Sequence, residues 1–322
     1  MFMNAEEARS DFVLAAATTL FGGLVIRLVA ELPFYPGSGV IGEILRLLWV
    51  FALTGLVPYL LVRYREMGTR GFGLEGDRSG VVAGLLVAAP VALLGIVRLL
   101  GIGDGGGLGA AIGTPGGSLT SALFGHLSGA PFGDPTVGPG PSAAAAMIEL
   151  FFRIATVAVL WIGIVMLFTF LTTRARDGFR RTELPLVEGL RTFGMGAAGV
   201  AFVIGLIAAI LPSVSVVSMA LNVGGLVAMV LLADRLVTKR MSTSRATLLA
   251  PAIVALLLHV IGGTHLLLDL YAGALAAGGA IVLASLVETR TAAWAVVPVA
   301  AAMAIYPTCL SALPMLGTIR GC

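Results

Sequence analysis

The amino-acid sequence predicts an all-α fold, a polytopic transmembrane helical bundle of about nine (eight to nine) helices. The first observation is composition: 58% of the 322 residues are hydrophobic, 11% are charged, and the mean hydropathy is +1.02. A soluble domain carries about 25% charged residues, so this chain has too little polar surface to cover a water-facing globule. The second observation is a series of long apolar runs, which lack the alternation that is typical of membrane-spanning β-strands.

The apolar runs predict the individual helices, because a bilayer core about 30 Å thick requires roughly 20 apolar residues per crossing. The fourth run is too long for one perpendicular crossing, which predicts a helix that tilts or protrudes into water. The residues Leu211-Pro212-Ser213 predict a tight turn after the fifth run, and Pro298 and Pro307 weaken the last. The predicted spans are 12–31, 41–63, 80–101, 142–172, 194–211, 213–233, 246–263, 265–287 and 291–312.

The third observation is that the basic residues alternate with these spans. With the N-terminus in the cytoplasm, the only basic residue in an outer segment is Arg320. Short loops of membrane proteins are enriched in Lys and Arg on the cytoplasmic side. The pattern therefore predicts a multi-pass cell-membrane protein with a cytoplasmic N-terminus and an extracytoplasmic C-terminus. The inner segments hold Arg9, Arg63, Arg65, Arg70, Arg78, Arg174, Arg176, Arg180, Arg181, Arg191, Arg235, Lys239, Arg240, Arg245 and Arg290.

The same distribution of charge excludes a nucleic-acid partner. The net charge is +3 and the isoelectric point is about 9.2, but the bases lie in several short loops and no single face collects them. They are explained by membrane orientation and by a modest attraction to anionic lipid. The expected partner is therefore the lipid bilayer. The sequence carries no signal for an oligomeric state.

One long segment divides the chain. Residues 102–141 contain no Lys or Arg and are rich in Gly, Pro and Ser, a composition typical of flexible loops. This predicts an extracytoplasmic loop between an N-terminal three-helix part, 1–101, and a C-terminal six-helix core, 142–322.

The polar residues inside the predicted spans are the candidates for chemistry, because an ionisable group in hydrocarbon is costly and usually finds a partner. Glu149 and Arg153 are spaced i, i+4 and share one face of the fourth helix. One interpretation is a self-neutralising pair that lowers the cost of insertion. The other is a general base, Glu149, that is oriented by Arg153.

Three further polar residues lie near the outer ends of the seventh and eighth spans. His265 and Asp269 are spaced i, i+4, and His259 precedes them by a short connection. Two imidazoles and a carboxylate could hold a divalent metal such as zinc. The carboxylate could instead orient a histidine ligand. The alternative is that all three are interfacial residues in contact with water.

The region 230–310 resembles the CAAX-protease and bacteriocin-processing (CPBP) family of intramembrane proteases. "LLADRLVTKRM" lies where that family has its glutamate pair and arginine, and "ALLLHVIGG" resembles its histidine-bearing helix, with His259 as the histidine. The stretch from Leu270 to Pro307 is similar to the family's glycine-led helix, polar turn and final Trp-containing helix. Three departures accompany the likeness: Ala233-Asp234 replaces the glutamate pair, Ala255 the phenylalanine, and the 299–301 stretch the last histidine.

A second alignment retains more of the family's chemistry but breaks its spacing. It takes "MIELFFR" as the glutamate motif, with Glu149 and Arg153, and "HLLLD" as the last motif, with His265 and Asp269. The resemblance implies hydrolysis of a membrane-bound or lipidated peptide by a metal-activated water. Glu149 would be the base, Arg153 would orient it, and His259, His265 and Asp269 would bind zinc.

Two other classes of function remain open from the residues. A transporter or permease-like subunit would use the interior arginines Arg27, Arg46 and Arg98 to line a path for an anion. A non-catalytic membrane scaffold would have no such site, and its polar residues would be paired locally.

Overall fold

The computed structural model describes residues 4–30, 48, 52–64, 78–99, 163, 165–179, 182–210, 215–262, 265–289 and 298–299. Helices dominate these residues, which confirms the all-α prediction for this part of the chain. In chain order the elements are α1 (Ala5–Ala30), a π-helical turn (Ala52–Leu56), α2 (Val57–Tyr64), α3 (Arg78–Leu99), α4 (165–178), β1 (Glu183–Pro185), α5 (Leu186–Ala208), α6 (Val216–Leu236), β2 (Ser242–Ser244), α7 (Arg245–Gly262) and α8 (Leu266–Glu288).

Four helices in the described residues are long and apolar enough to cross a bilayer. Two shorter apolar helices, Gly80–Leu94 and Arg245–Ile261, accompany them. A membrane-embedded helical protein therefore agrees with both the composition and the structure. The structure does not test the predicted number of nine helices, because spans 142–172 and 291–312 fall mostly outside the described residues. The four long helices are Ala5–Val25, Leu186–Ala208, Val216–Leu236 and Leu266–Glu288.

The helix boundaries differ most from prediction where a charged residue lies at the edge of an apolar run. Helices α3, α6, α7 and α8 begin and end within three residues of the predicted spans. Helix α5 instead begins at Leu186 and not at 194, so it includes Arg191. Helix α1 begins at Ala5 and not at 12, so it includes Arg9. Both arginines are held by partners on other helices, which lets the helix continue through the charge.

The connections at one end of the bundle are joined by a small sheet that the sequence did not predict. Strand β1 pairs antiparallel with β2, so that Leu184 lies opposite Thr243. The segment before α5 and the segment before α7 therefore lie at the same end. Arg176 at the end of α4 lies 3.8 Å from Glu288 at the end of α8, and this brings α8 to that end too. We refer to this end, which carries β1, β2 and these two helix ends, as the basic end.

Helix α8 forms the centre of the described bundle. In α8 83% of the membrane-length window is buried, against 28% in α5, which places α8 inside and α5 at the periphery. Helix α8 contacts α5, α6 and α7. Large apolar side chains on the outer helices stay exposed and suit contact with lipid, and they include Val200, Val203, Leu231 and Ile253.

Close approach of the helices depends on glycine at the contacts. A Cβ atom at Gly278 of α8 would lie 2.5 Å from Leu226 of α6. A Cβ atom at Gly205 of α5 would lie 2.7 Å from Met219 of α6 and 2.9 Å from the Tyr271 ring of α8. Small residues at helix interfaces are typical of membrane bundles, where tight van der Waals packing replaces the hydrophobic driving force between helices.

Candidate functional site

His259 is the most deeply buried of the predicted site residues that the structure describes. It lies near the end of α7 and is 2% exposed. Its Nδ1 atom lies 3.0 Å from the carbonyl oxygen of Ala255, one turn earlier. The hydrogen bond assigns the proton to Nδ1, because a carbonyl can only accept, and leaves the lone pair on Nε2. Within the described residues, Nε2 has no hydrogen-bond partner.

The neighbouring helix leaves space for this imidazole. A Cβ atom at Gly273 of α8 would lie 3.4 Å from the Cβ atom of His259 and 3.3 Å from the carbonyl oxygen of Leu256. Glycine at this position therefore lets α8 lie close to the histidine-bearing turn of α7. The sequence placed His259 inside an apolar helix, and the structure agrees.

His265 and Asp269 are in contact, but through the backbone. His265 is the exposed residue before the first turn of α8, and its backbone N–H donates to Asp269 Oδ2 at 2.9 Å. The backbone N–H of Asp269 in turn donates to the carbonyl oxygen of His265 at 2.9 Å. A carboxylate in the first turn satisfies a helix N-terminus and interacts favourably with its dipole. The i, i+4 spacing thus forms a helix cap in this structure.

The predicted metal site is not assembled among the described residues. His259, His265 and Asp269 all belong to them, and no group of three His, Cys, Asp or Glu side chains in this part of the chain is placed to hold a metal ion. Glu149 and Arg153 lie outside the described residues. The zinc ligands and the general base therefore remain predictions.

The arginines that a transport path would require cannot be compared with the structure. Arg46 lies outside the described residues, and so do the side chains of Arg27 and Arg98. The anion path also remains a prediction.

Asp234, which the first alignment places at the family's glutamate pair, forms an ion pair at the basic end. Arg191 of α5 donates to Asp234 Oδ2 of α6 through Nε at 3.0 Å and through Nη2 at 2.5 Å. Helix α6 runs towards the basic end, and α7 runs away from it after β2. Asp234 and His259 both lie near the C-terminal ends of their helices, so the opposite directions of these helices place the two residues at opposite ends of the bundle.

A buried ion pair near the N-terminus is one of the polar contacts that the sequence did not predict. Arg174 Nε of α4 lies 3.4 Å from Asp11 Oδ2 of α1, and the two side chains are only 1% and 3% exposed. The guanidinium also lies over the Phe170 ring, 4.8 Å from its centroid. The available signal was Asp11 itself, an acid beside the first apolar run. Its partner is distant in sequence and looked like one more loop arginine.

Two further contacts join the first turns of α1 to the end of α4. Arg9 Nε donates to the carbonyl oxygen of Gly178 at 2.6 Å, and Phe12 packs edge-to-face against Phe179 with ring centroids 5.7 Å apart. A cation at a helix C-terminus satisfies the last carbonyls and favours the helix dipole. Helix α1 therefore docks on α4 by charge and by aromatic packing.

Comparison with known proteins provides no further assignment. No protein-family model, no curated protein and no solved structure matches this chain.

Proposed function

We propose that this protein is a divergent intramembrane metallopeptidase that acts on a membrane-bound or lipidated peptide. The proposal rests on the sequence resemblance to the CPBP family, and the observation that carries it furthest is the state of His259. A buried imidazole whose Nδ1 is bonded to a backbone carbonyl presents Nε2 in the orientation that metal ligands use. His259 is also the residue for which the resemblance is clearest.

The roles of the remaining residues are those that the resemblance implies. Zinc would act as a Lewis acid and lower the pKa of a bound water. His259 would supply one ligand through Nε2, and His265 and Asp269 would supply the others. Glu149 would accept the proton of the water, and Arg153 would orient the carboxylate of Glu149.

Zinc content tests this proposal directly. We expect the purified protein in detergent to retain about one zinc ion per chain, and His259→Ala to lower its zinc affinity by at least about ten-fold. His126→Ala is the matched control, because His126 lies in the glycine-rich loop outside the predicted site. The measurement is metal analysis after dialysis against a weak chelator. Negligible zinc in the wild-type protein and in both variants would remove the metallopeptidase proposal.

A second candidate is a non-catalytic membrane scaffold, and a specific observation favours it. Three acidic side chains in the described residues engage partners within the protein. Asp269 caps α8, Asp234 is paired with Arg191, and Glu288 lies near Arg176. Such pairing is what a purely structural set of polar residues requires. A well-folded protein that binds no zinc and cleaves no peptide would support this candidate.

A further inference from the structure

The connection from α6 to α7 carries a cluster of exposed bases at the basic end. Arg235 lies in the last turn of α6, Lys239 and Arg240 form the turn that follows, and Arg245 begins α7. All four side chains are exposed. We name these four residues the α6–α7 basic surface.

These four bases differ from the other described bases at this end, whose side chains are bonded to or paired with groups of the protein. Arg9 donates to a helix carbonyl, Arg174 lies beside Asp11, Arg176 lies beside Asp177, and Arg191 is bonded to Asp234. In the part of the chain that the structure describes, the side chains of the α6–α7 basic surface form no ion pair and no hydrogen bond. Within the described residues their charge is therefore not neutralised by an ion pair, which suits an anionic partner.

The backbone beneath the surface is held in place. The N–H of Met241 donates to Thr238 at 3.1 Å and closes the basic turn. The N–H of Leu186 donates to the carbonyl of Met241 at 2.8 Å, and β2 pairs with β1. An open concavity of about 210 Å³ lies against this sheet. Lys239, Arg240 and Ser242 contribute to its lining, and so does the acidic Glu183, which leaves one net positive charge among the lining residues. The cations are therefore presented by a turn with fixed backbone, which lowers the entropy lost on binding.

An apolar surface leads directly to these bases. Leu231 of α6 is 49% exposed and precedes Arg235 by one turn on the same helix face. An amphiphile with an anionic head and an acyl tail could contact both the bases and the apolar side chain beside them. A soluble phosphate would contact only the bases.

We propose that the α6–α7 basic surface binds the anionic headgroup of a phospholipid while the acyl chain lies along the face of α6 that carries the exposed Leu231. A basic residue near an anionic membrane surface contributes about five-fold in binding. Lys239 and Arg240 flank the concavity and make the principal contacts. The inference is independent of the proposed peptidase activity, since His259 lies at the other end of α7.

Native mass spectrometry of the full-length protein in detergent provides the test, with phosphatidylglycerol and phosphatidylcholine of the same acyl chains as probes. We expect preferential binding of phosphatidylglycerol. We expect the double variant Lys239→Gln/Arg240→Gln to weaken that binding by about 25-fold, five-fold for each charge.

Two control variants separate charge from folding. Lys239→Arg/Arg240→Lys keeps both charges, and Arg63→Gln removes an exposed base of α2 that is bonded to Tyr59. We expect both to bind phosphatidylglycerol as the wild-type protein does. Equal binding of the two lipids, or an unchanged affinity in the double Gln variant, would overturn the proposal. Displacement of phosphatidylglycerol by inorganic phosphate, but not by chloride at equal ionic strength, would also overturn it in favour of a soluble-phosphate site.

Discussion

Replacement of Arg174 by methionine is expected to destabilise the folded bundle by about 3–5 kcal/mol. The substitution removes the cation that lies 3.4 Å from Asp11. The Asp11 side chain, which is only 3% exposed, then loses this ion pair. It also removes the contact with the Phe170 ring. A charge that is buried away from water is costly unless a partner compensates it. Removal of one member of a buried ion pair therefore has a large effect on stability.

The double variant Asp11→Asn/Arg174→Met distinguishes this mechanism from a simple loss of packing. We expect it to be more stable than Arg174→Met alone, because the buried negative charge is gone. Arg235→Met provides a control with the same substitution at an exposed position, and we expect a change within about 0.5 kcal/mol. The measurement is reversible unfolding in mixed micelles. Equal destabilisation by Arg174→Met and Arg235→Met would contradict the assigned role of the ion pair.

The second large effect is expected at the junction of α5, α6 and α8. Gly205→Val should destabilise the protein by about 1–3 kcal/mol, because even a Cβ atom there would lie 2.7 Å from Met219 and 2.9 Å from the buried Tyr271 ring. Both neighbours lie in the core, since Met219 is 2% exposed and Tyr271 is fully buried, so a shift of either would disturb other packed side chains.

Gly199→Val on the same helix is the matched control for this prediction. A Cβ atom at Gly199 meets nothing within 4 Å, so the same side chain would point away from the bundle. We expect its effect on the unfolding free energy to remain within about 0.5 kcal/mol. If the two valine variants are equally stable, the three-helix junction is not packed as described.

The long helices were predictable from sequence because two local signals agreed. Apolar runs of membrane length marked α6, α7 and α8, and bases marked the ends. The predicted start of α5 is too late because the apolar run begins only after Arg191. The charge of Arg191 is neutralised by Asp234, 43 residues away, and no local sequence pattern reveals this pairing. The strands β1 and β2 were missed since three-residue strands carry no usable periodicity.

The candidate site shows the same limit in side-chain chemistry. The spacing of His265 and Asp269 correctly indicated a contact, but spacing does not tell whether a carboxylate meets an imidazole or a backbone N–H. The burial of His259 followed from its apolar run, while its bond to Ala255 depends on the rotamer. The docking of α1 through Arg9 and Gly178 joins residues 169 positions apart, which only the fold reveals.

The central claim is a membrane-embedded bundle, and the distribution of bases predicts that its basic end faces the cytoplasm. Two cysteine substitutions test it, each in a chain with Cys309→Ser and Cys322→Ser. Lys239→Cys lies in the basic turn, and Ile210→Cys lies after α5 at the opposite end, where the native side chain is 83% exposed. With a membrane-impermeant maleimide on intact cells, we expect Ile210→Cys to be labelled at once and Lys239→Cys only after permeabilisation. Labelling of both positions from the same side, or of Lys239→Cys alone from outside, would contradict it.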